Sequence, residues 1–216
     1  MALCLECVPE SAQRLASILF PAIADAGFVL AGGTALALHL GHRISVDFDL
    51  FAPAGMFPDR LLNRVAALPC ALQVIQDKKD TLDVLLDDIK CSFFSYPYPF
   101  SPTRESYHAM PLAEVLDIAA MKLVAIAQRG AKKDFIDLYV ILRQHSFGSV
   151  FANALRRFGK QSMNPLHIGK SLVYFADAAS DPDPPFAAEP ILWSSVETFY
   201  RAHMREFTEQ MIMASR

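Results

Sequence analysis

The sequence predicts an α/β (α+β) protein, a mixed-sheet core followed by a helical C-terminal half. Three observations predict it. Short apolar runs of strand length alternate with helical segments over the first 110 residues. After the proline-broken stretch YPYPFSP the apolar spacing turns helical, with Leu112, Leu116, Ala119, Leu123 and Ile126 recurring on one face. A chain of 216 residues with 53% hydrophobic side chains is also ample for a real core. The expected organisation is therefore an α/β core over 1–110 and a helical region over 111–216 packed on it.

Ser11 to Ala26 has helical composition, and Gly27 is placed to stop it. Phe28 to Ala31 reads as a short buried strand. Gly32-Gly33 follows, with Thr34 as the expected N-cap of a helix through Leu40. Val46 to Phe51 alternates as a second strand, and Pro58 to Leu68 reads as a helix with Pro58 in its first turn. Leu72–Ile75, Leu82–Leu86 and Ile89–Tyr96 are strand candidates, the last two joined by a tight turn at Asp87-Asp88. Gly130 ends the helix that follows. Further helices are expected over Asp134–His145, Ser149–Phe158, Ser171–Ala178 and Ser194–Met213.

The net charge of -3 excludes a basic nucleic-acid coat protein, but charge is uneven along the chain. Lys122 to Lys170 holds nine basic residues against two acids, Asp134 and Asp137, a balance of +7 between acidic flanks. Such an island suits an RNA backbone or is simply solvated helix faces. Cys4, Cys7, Cys70 and Cys91 are too few for a disulfide framework, and the CxxC of Cys4 and Cys7 lacks partners for a zinc site. Glu6 and Glu10 precede any long apolar stretch, so the N-terminus does not read as a signal peptide, and no apolar run reaches the ~20 residues that a membrane span needs; the expectation is a cytoplasmic protein without a membrane partner.

The chemistry concentrates in GGTALALHLGHRISVDFDLF, Gly32 to Phe51. On a strand Asp47 and Asp49 share one face, and Val46, Phe48 and Leu50 the other. Adjacent carboxylates repel unless a cation lies between them. A divalent metal answers that need, since Mg²⁺ binds through one or two carboxylates and substrate phosphates. The glycines ahead allow close backbone approach, and a helix start at Thr34 attracts an anion. Together these features outline a nucleoside triphosphate site.

G-G-T followed by R-x-S-x-D-x-D-L-F resembles the signature of the AbiEii/AbiGii-type nucleotidyltransferase-like toxins, members of the polymerase-β-like nucleotidyltransferase fold. The resemblance extends to IKCSFFSYPYP, to LDIAAMKLVAIAQRGAKKDFIDLY and, more weakly, to SLVYFADA. It implies that Gly33 and Thr34 hold the nucleotide phosphates, that Asp47 and Asp49 bind one or two Mg²⁺, and that Lys122 meets the triphosphate of an NTP substrate. It also implies transfer of a nucleoside monophosphate to an acceptor hydroxyl, in some such toxins on tRNA ends, and a cognate antitoxin protein as partner. Asp137 falls in a further motif and either helps form the site or joins a surface salt bridge with Lys132 and Lys133. Lys122 has alternatives too, a snorkelling lysine or one paired to a structural carboxylate. Arg43 and Ser45 lie within the first motif, and Arg43 either reaches phosphate or pairs with a carboxylate.

One departure stands out. Polymerase-β-like enzymes usually carry a third acid on a neighbouring strand, where this chain has Ser92 or Cys91, with Asp83, Asp87 and Asp88 in the adjacent hairpin. Two alternatives follow: a lapsed nucleotide- or partner-binding protein on the same fold, and an antibiotic-type small-molecule nucleotidyltransferase.

Overall fold

The structure, a computed structural model, describes residues 2–55, 60–101 and 103–215. It divides into two compact units at Glu114/Val115. In the first, α1 (Glu10–Ala22) leads through a 3-10 turn to Gly27, whose φ of 71° ends the segment in the left-handed region. β1 (Val29–Ala31) runs into α2 (Gly32–Leu40), and β2 spans Phe48–Pro53. After α3 (Leu61–Ala66) come β3 (Leu72–Lys78), β4 (Thr81–Leu86) and β5 (Ile89–Tyr96). The expected start of α3 at Pro58 lies outside the described residues.

The five strands form one mixed sheet in the order β1-β2-β5-β4-β3. Only the central β2–β5 pair is parallel. The β4–β5 turn is as tight as its sequence asks: Asp87 and Asp88 both have positive φ, 46° and 64°, between the paired residues Leu86 and Ile89. Phe48, Leu50 and Ala52 turn inward from β2, and Phe20 of α1 meets Phe48 edge-on at 5.0 Å between ring centroids. A short hairpin, β6 (Ser106–Tyr107) and β7 (Met110–Pro111), completes the unit.

Two expectations for the first unit differ from the structure. Val46 is 37% exposed and lies ahead of the strand, because β2 begins only where Phe48 can pair with Cys91. Thr34 is not the N-cap of α2. The helix starts two residues earlier, at Gly32, and the Thr34 hydroxyl turns inward.

The second unit is helical: α4 (Val115–Gln128), α5 (Lys132–Leu142), α6 (Phe147–Phe158), α7 (Pro165–Ser171), α8 (Ala176–Ala179) and α9 (Trp193–Ser215). Gly130, at φ 57°, separates α4 from α5. Its core is aromatic, with Phe147 stacked on Phe207 at 4.2 Å and Phe135 edge-on to Tyr200 at 5.5 Å. The helix expected over Ser171–Ala178 is instead two shorter ones, α7 and α8, either side of Leu172–Phe175. Asn164 fixes the start of α7 by accepting hydrogen bonds from the Leu166 and His167 amides, and Pro165 fits the first turn.

Candidate functional site

The first cluster belongs to the α/β unit. Gly32 opens α2 with φ 67°, and a Cβ at that position would overlap the Asp49 carboxylate. A Cβ on Gly33 would overlap the Arg43 guanidinium and come within 3.2 Å of Ser45 Oγ. The freedom of both glycines is thus used by the chain's own charged side chains, a carboxylate at one and a guanidinium at the other. The Thr34 hydroxyl donates to the Asp47 main-chain carbonyl and lies 2.9 Å from Ser45 Oγ. These bonds fix the loop ahead of β2, so Gly33, Thr34, Arg43, Ser45, Asp47 and Asp49 are held in one neighbourhood. Arg43 is only 5% exposed, and its Nη1 donates to the Ile44 carbonyl at 3.1 Å. Asp47 is exposed and Asp49 half-buried.

Strand register adds a residue outside the expected site. Asp49 of β2 pairs with Ser92 of β5, which pairs with Asp83 of β4, so the three form one row on one face of the sheet. Ser92 is buried, and Asp83 Oδ1 is enclosed without a hydrogen-bond partner. Asp87 is spent on its turn, where its carboxylate accepts from the Ala71 amide at 2.8 Å. The sequence leaves Asp83 as one of three candidates in the hairpin, with Asp87 and Asp88, and pairing across three strands is what sets it in this row.

The second cluster belongs to the helical unit. Lys122 Nζ lies 2.8 Å from Asp134 Oδ1 and 2.6 Å from Asp137 Oδ2. Both carboxylates are fully buried, one helical turn apart on the inner face of α5, which rules out the surface salt bridge with Lys132 and Lys133. Arg129 completes the group with two donors to Asp134, Nε at 2.8 Å and Nη2 at 3.1 Å. Burial weighs most on Lys122 and opposes its charge, but Asp137 and Asp134 outweigh it and raise the ammonium's pKa. For Asp134 burial is again the largest influence and pushes its pKa up. Lys122 and Arg129 more than reverse that, and the carboxyl sits below its ordinary range. Spacing alone does not relate Asp134 to Lys122 and Arg129, because Gly130 breaks the helical period between them.

The basic island is largely consumed inside this unit. Arg157 pairs with the buried Asp117 at 3.1 Å, and Lys132 with Asp183 at 3.1 Å, while Asp181 accepts from the Lys132 amide. With Lys122 and Arg129 also paired, the excess of +7 is not one continuous basic face.

Asp47 and Asp49 offer the hard oxygen donors that Mg²⁺ prefers. The position of Asp49 against the Gly32 turn, with the Arg43 guanidinium next to Gly33, fits a metal-bound phosphate, since anion and cation binders alternate there. Among the described residues no three His, Cys, Asp or Glu side chains converge as a metal cage. The cysteines are all free thiols, and burial, helped by Cys4 and Glu6, pushes Cys7 up to about 11. No described helix is long and apolar enough to cross a membrane.

The profile of the nucleotidyl transferase AbiEii toxin of type IV toxin–antitoxin systems matches residues 14–85 and 81–215. An uncharacterized protein of Aquifex aeolicus (strain VF5) is 40% identical over 185 residues, 84% of this chain and 88% of its own length. MenT4, a nucleotidyltransferase toxin from Mycobacterium tuberculosis H37Rv, is similar in structure with a TM-score of 0.61 at 16% identity, covering 98% of this chain and 88% of that one. JHP933 from Helicobacter pylori gives 0.55 at 19% identity over 96% of each chain. At such identities the likeness to the two structures is one of fold. The family profile spans nearly the whole sequence, both sides of the Glu114/Val115 division, and the chain belongs to the AbiEii nucleotidyltransferase toxin family.

Proposed function

We propose that this nucleotidyltransferase uses Asp47 and Asp49 to hold Mg²⁺ with an NTP and moves the nucleoside monophosphate to a hydroxyl of an RNA acceptor. The observation that carries the reading is the contact of Asp49 with the Gly32 turn, which sets a carboxylate against the start of α2. An acceptor oxygen attacks the α-phosphorus, the bond to the β-phosphate breaks, pyrophosphate leaves, and the hydroxyl proton passes to base or solvent. When bound, Mg²⁺ supplies charge neutralisation of the phosphates. The Gly33 and Thr34 amides at the start of α2 and the Arg43 guanidinium orient the phosphates, with Ser45 holding Thr34 in place.

Within the helical unit, Lys122 and Asp137 are proposed as a phosphate-binding charge and the carboxylate that holds it. For a phosphate oxygen to reach Lys122 it replaces one carboxylate contact. A cognate antitoxin is proposed as the partner protein, and the cytoplasm as the place of action.

Incubation with each α-labelled NTP, Mg²⁺ and total RNA, followed by electrophoresis, tests the reading. Label is expected on RNA and is expected to vanish with Asp47→Asn or Asp49→Asn. Label that persists in both variants would overturn the assignment. Label on a small-molecule acceptor alone would replace RNA as substrate.

A further inference from the structure

The helical unit holds a cavity of about 300 Å³ that the proposed transfer chemistry does not use. It opens at the C-terminal end of α4, next to Gly130, and where the chain passes from α7 to α8. Gln128 and Arg129 line one side, and Lys170, Tyr174 and Asp177 the other. Gln128, Arg129, Tyr174 and Asp177 come from stretches that carried the family resemblance, AIAQRG and SLVYFADA, with Lys170 just ahead of the second, and of the five only Arg129, which holds Asp134, has a role above.

Their chemistry converges on one kind of ligand. Arg129 is turned toward Asp134, but its side chain remains 59% exposed, and Lys170 is exposed. Two cations facing a shared opening suit a phosphodiester. Tyr174 is 57% exposed, an unusual setting for a ring of that size, and base stacking on such a ring is worth about 1–3 kcal/mol. Gln128 and Asp177 supply an amide and a carboxylate for base edges or ribose hydroxyls. An acidic peptide would use the cations but leave the exposed ring without a stacking partner. A volume near the lower end of ligand sites matches one nucleotide.

We infer that this cavity binds one nucleotide of a single-stranded RNA, with Arg129 and Lys170 on its phosphate and Tyr174 against its base. The inference rests on the reading that the acceptor is RNA, and it assigns where, outside the transfer centre, that RNA is gripped.

Anisotropy of a fluorescent short single-stranded RNA at two salt concentrations tests it, with Lys170→Glu, Tyr174→Ala and Tyr174→Phe. Lys170→Glu is expected to weaken binding about tenfold and to lower the salt slope by about 0.7, one phosphate contact. Tyr174→Ala is expected to weaken binding about tenfold, and Tyr174→Phe to restore it, since stacking needs the ring and not the hydroxyl. Mg²⁺-dependent NTP binding by all three is expected to stay within about twofold of the parent. RNA affinities within about twofold of the parent in both Lys170→Glu and Tyr174→Ala overturn the inference, as does equal loss with duplex RNA or the same loss for a free nucleoside monophosphate without any RNA binding. If the parent binds RNA through these residues but never labels it, the cavity stands and the acceptor reading falls. If RNA is labelled and the variants bind it unchanged, the reverse holds.

Discussion

Lys122 Nζ lies 2.6 Å from Asp137 Oδ2, with the lysine side chain 7% exposed and the carboxylate fully buried. A charge pair this far from water is not by itself stabilising, because desolvation offsets much of its attraction. The group is balanced by number: two carboxylates, Asp134 and Asp137, face two cations, Lys122 and Arg129. What the arrangement does enforce is the cost of breaking it.

Lys122→Met is therefore expected to destabilise the chain by about 3–5 kcal/mol, since two buried carboxylates lose their shared partner. Urea unfolding followed by circular dichroism checks this. Lys122→Met paired with Asp137→Leu should recover part of the loss, and an absence of recovery would mean the two residues act independently.

Acid stability follows from Asp134. Its pKa is lower in the folded chain than in the unfolded one, near ~3.9, so the folded state binds its proton less readily. The stability it contributes is fully present above that unfolded value and is lost as pH falls through the folded one. Lys122 works in the opposite sense: its raised pKa contributes fully below the unfolded value, near ~10.4, and the contribution is lost as pH rises through the folded value. Unfolding midpoints measured from pH 3 to pH 6 should fall less steeply for Asp134→Asn than for the parent, about one titrating group fewer. Equal slopes would show that Asp134 does not govern the acid arm.

The two glycines should separate stability from binding. Gly32→Ala meets both a φ of 67° and the Asp49 carboxylate, and is expected to cost at least about 1–2 kcal/mol. Gly33→Ala has an ordinary φ and meets the far end of the flexible Arg43 side chain, so it should fold normally and displace that guanidinium. NTP binding, read by calorimetry with Mg²⁺, is expected to weaken about tenfold in Gly33→Ala, the loss of one charge-assisted phosphate contact.

Asp83 tests the displaced third acid. An enclosed carboxylate oxygen without a partner costs about 1–3 kcal/mol, so Asp83→Val on β4 should raise the unfolding midpoint. If Asp83 serves the transfer site through the row with Ser92 and Asp49, the same variant loses transfer rate while gaining stability. Unchanged transfer would assign the row to architecture alone.

Much of the fold was legible because it rests on local rules. Asp87-Asp88 between two apolar strands asks for a turn with positive φ, and Gly27 and Gly130 stop segments where only glycine is comfortable. Thr34 misled for a physical reason. A threonine ahead of an apolar helix is a good cap, but its hydroxyl found a better partner in the Asp47 carbonyl, thirteen residues away. The segment Ser171–Ala178 misled because Asn164-Pro165 starts its helix earlier than the apolar spacing alone indicates.

The sequence by itself determined the mixed α/β core with its helical continuation, and the family motif of glycines, threonine and two aspartates. Spacing along one chain is enough for these, since turn chemistry, strand alternation and a D-x-D pair are local. Only the tertiary structure decided which charges meet. Lys122 reaches Asp134 and Asp137 across the Gly130 break, and Asp83 joins Asp49 through Ser92 across three strands. Electrostatic energy depends on distance in space and on burial, neither of which is written in the order of residues.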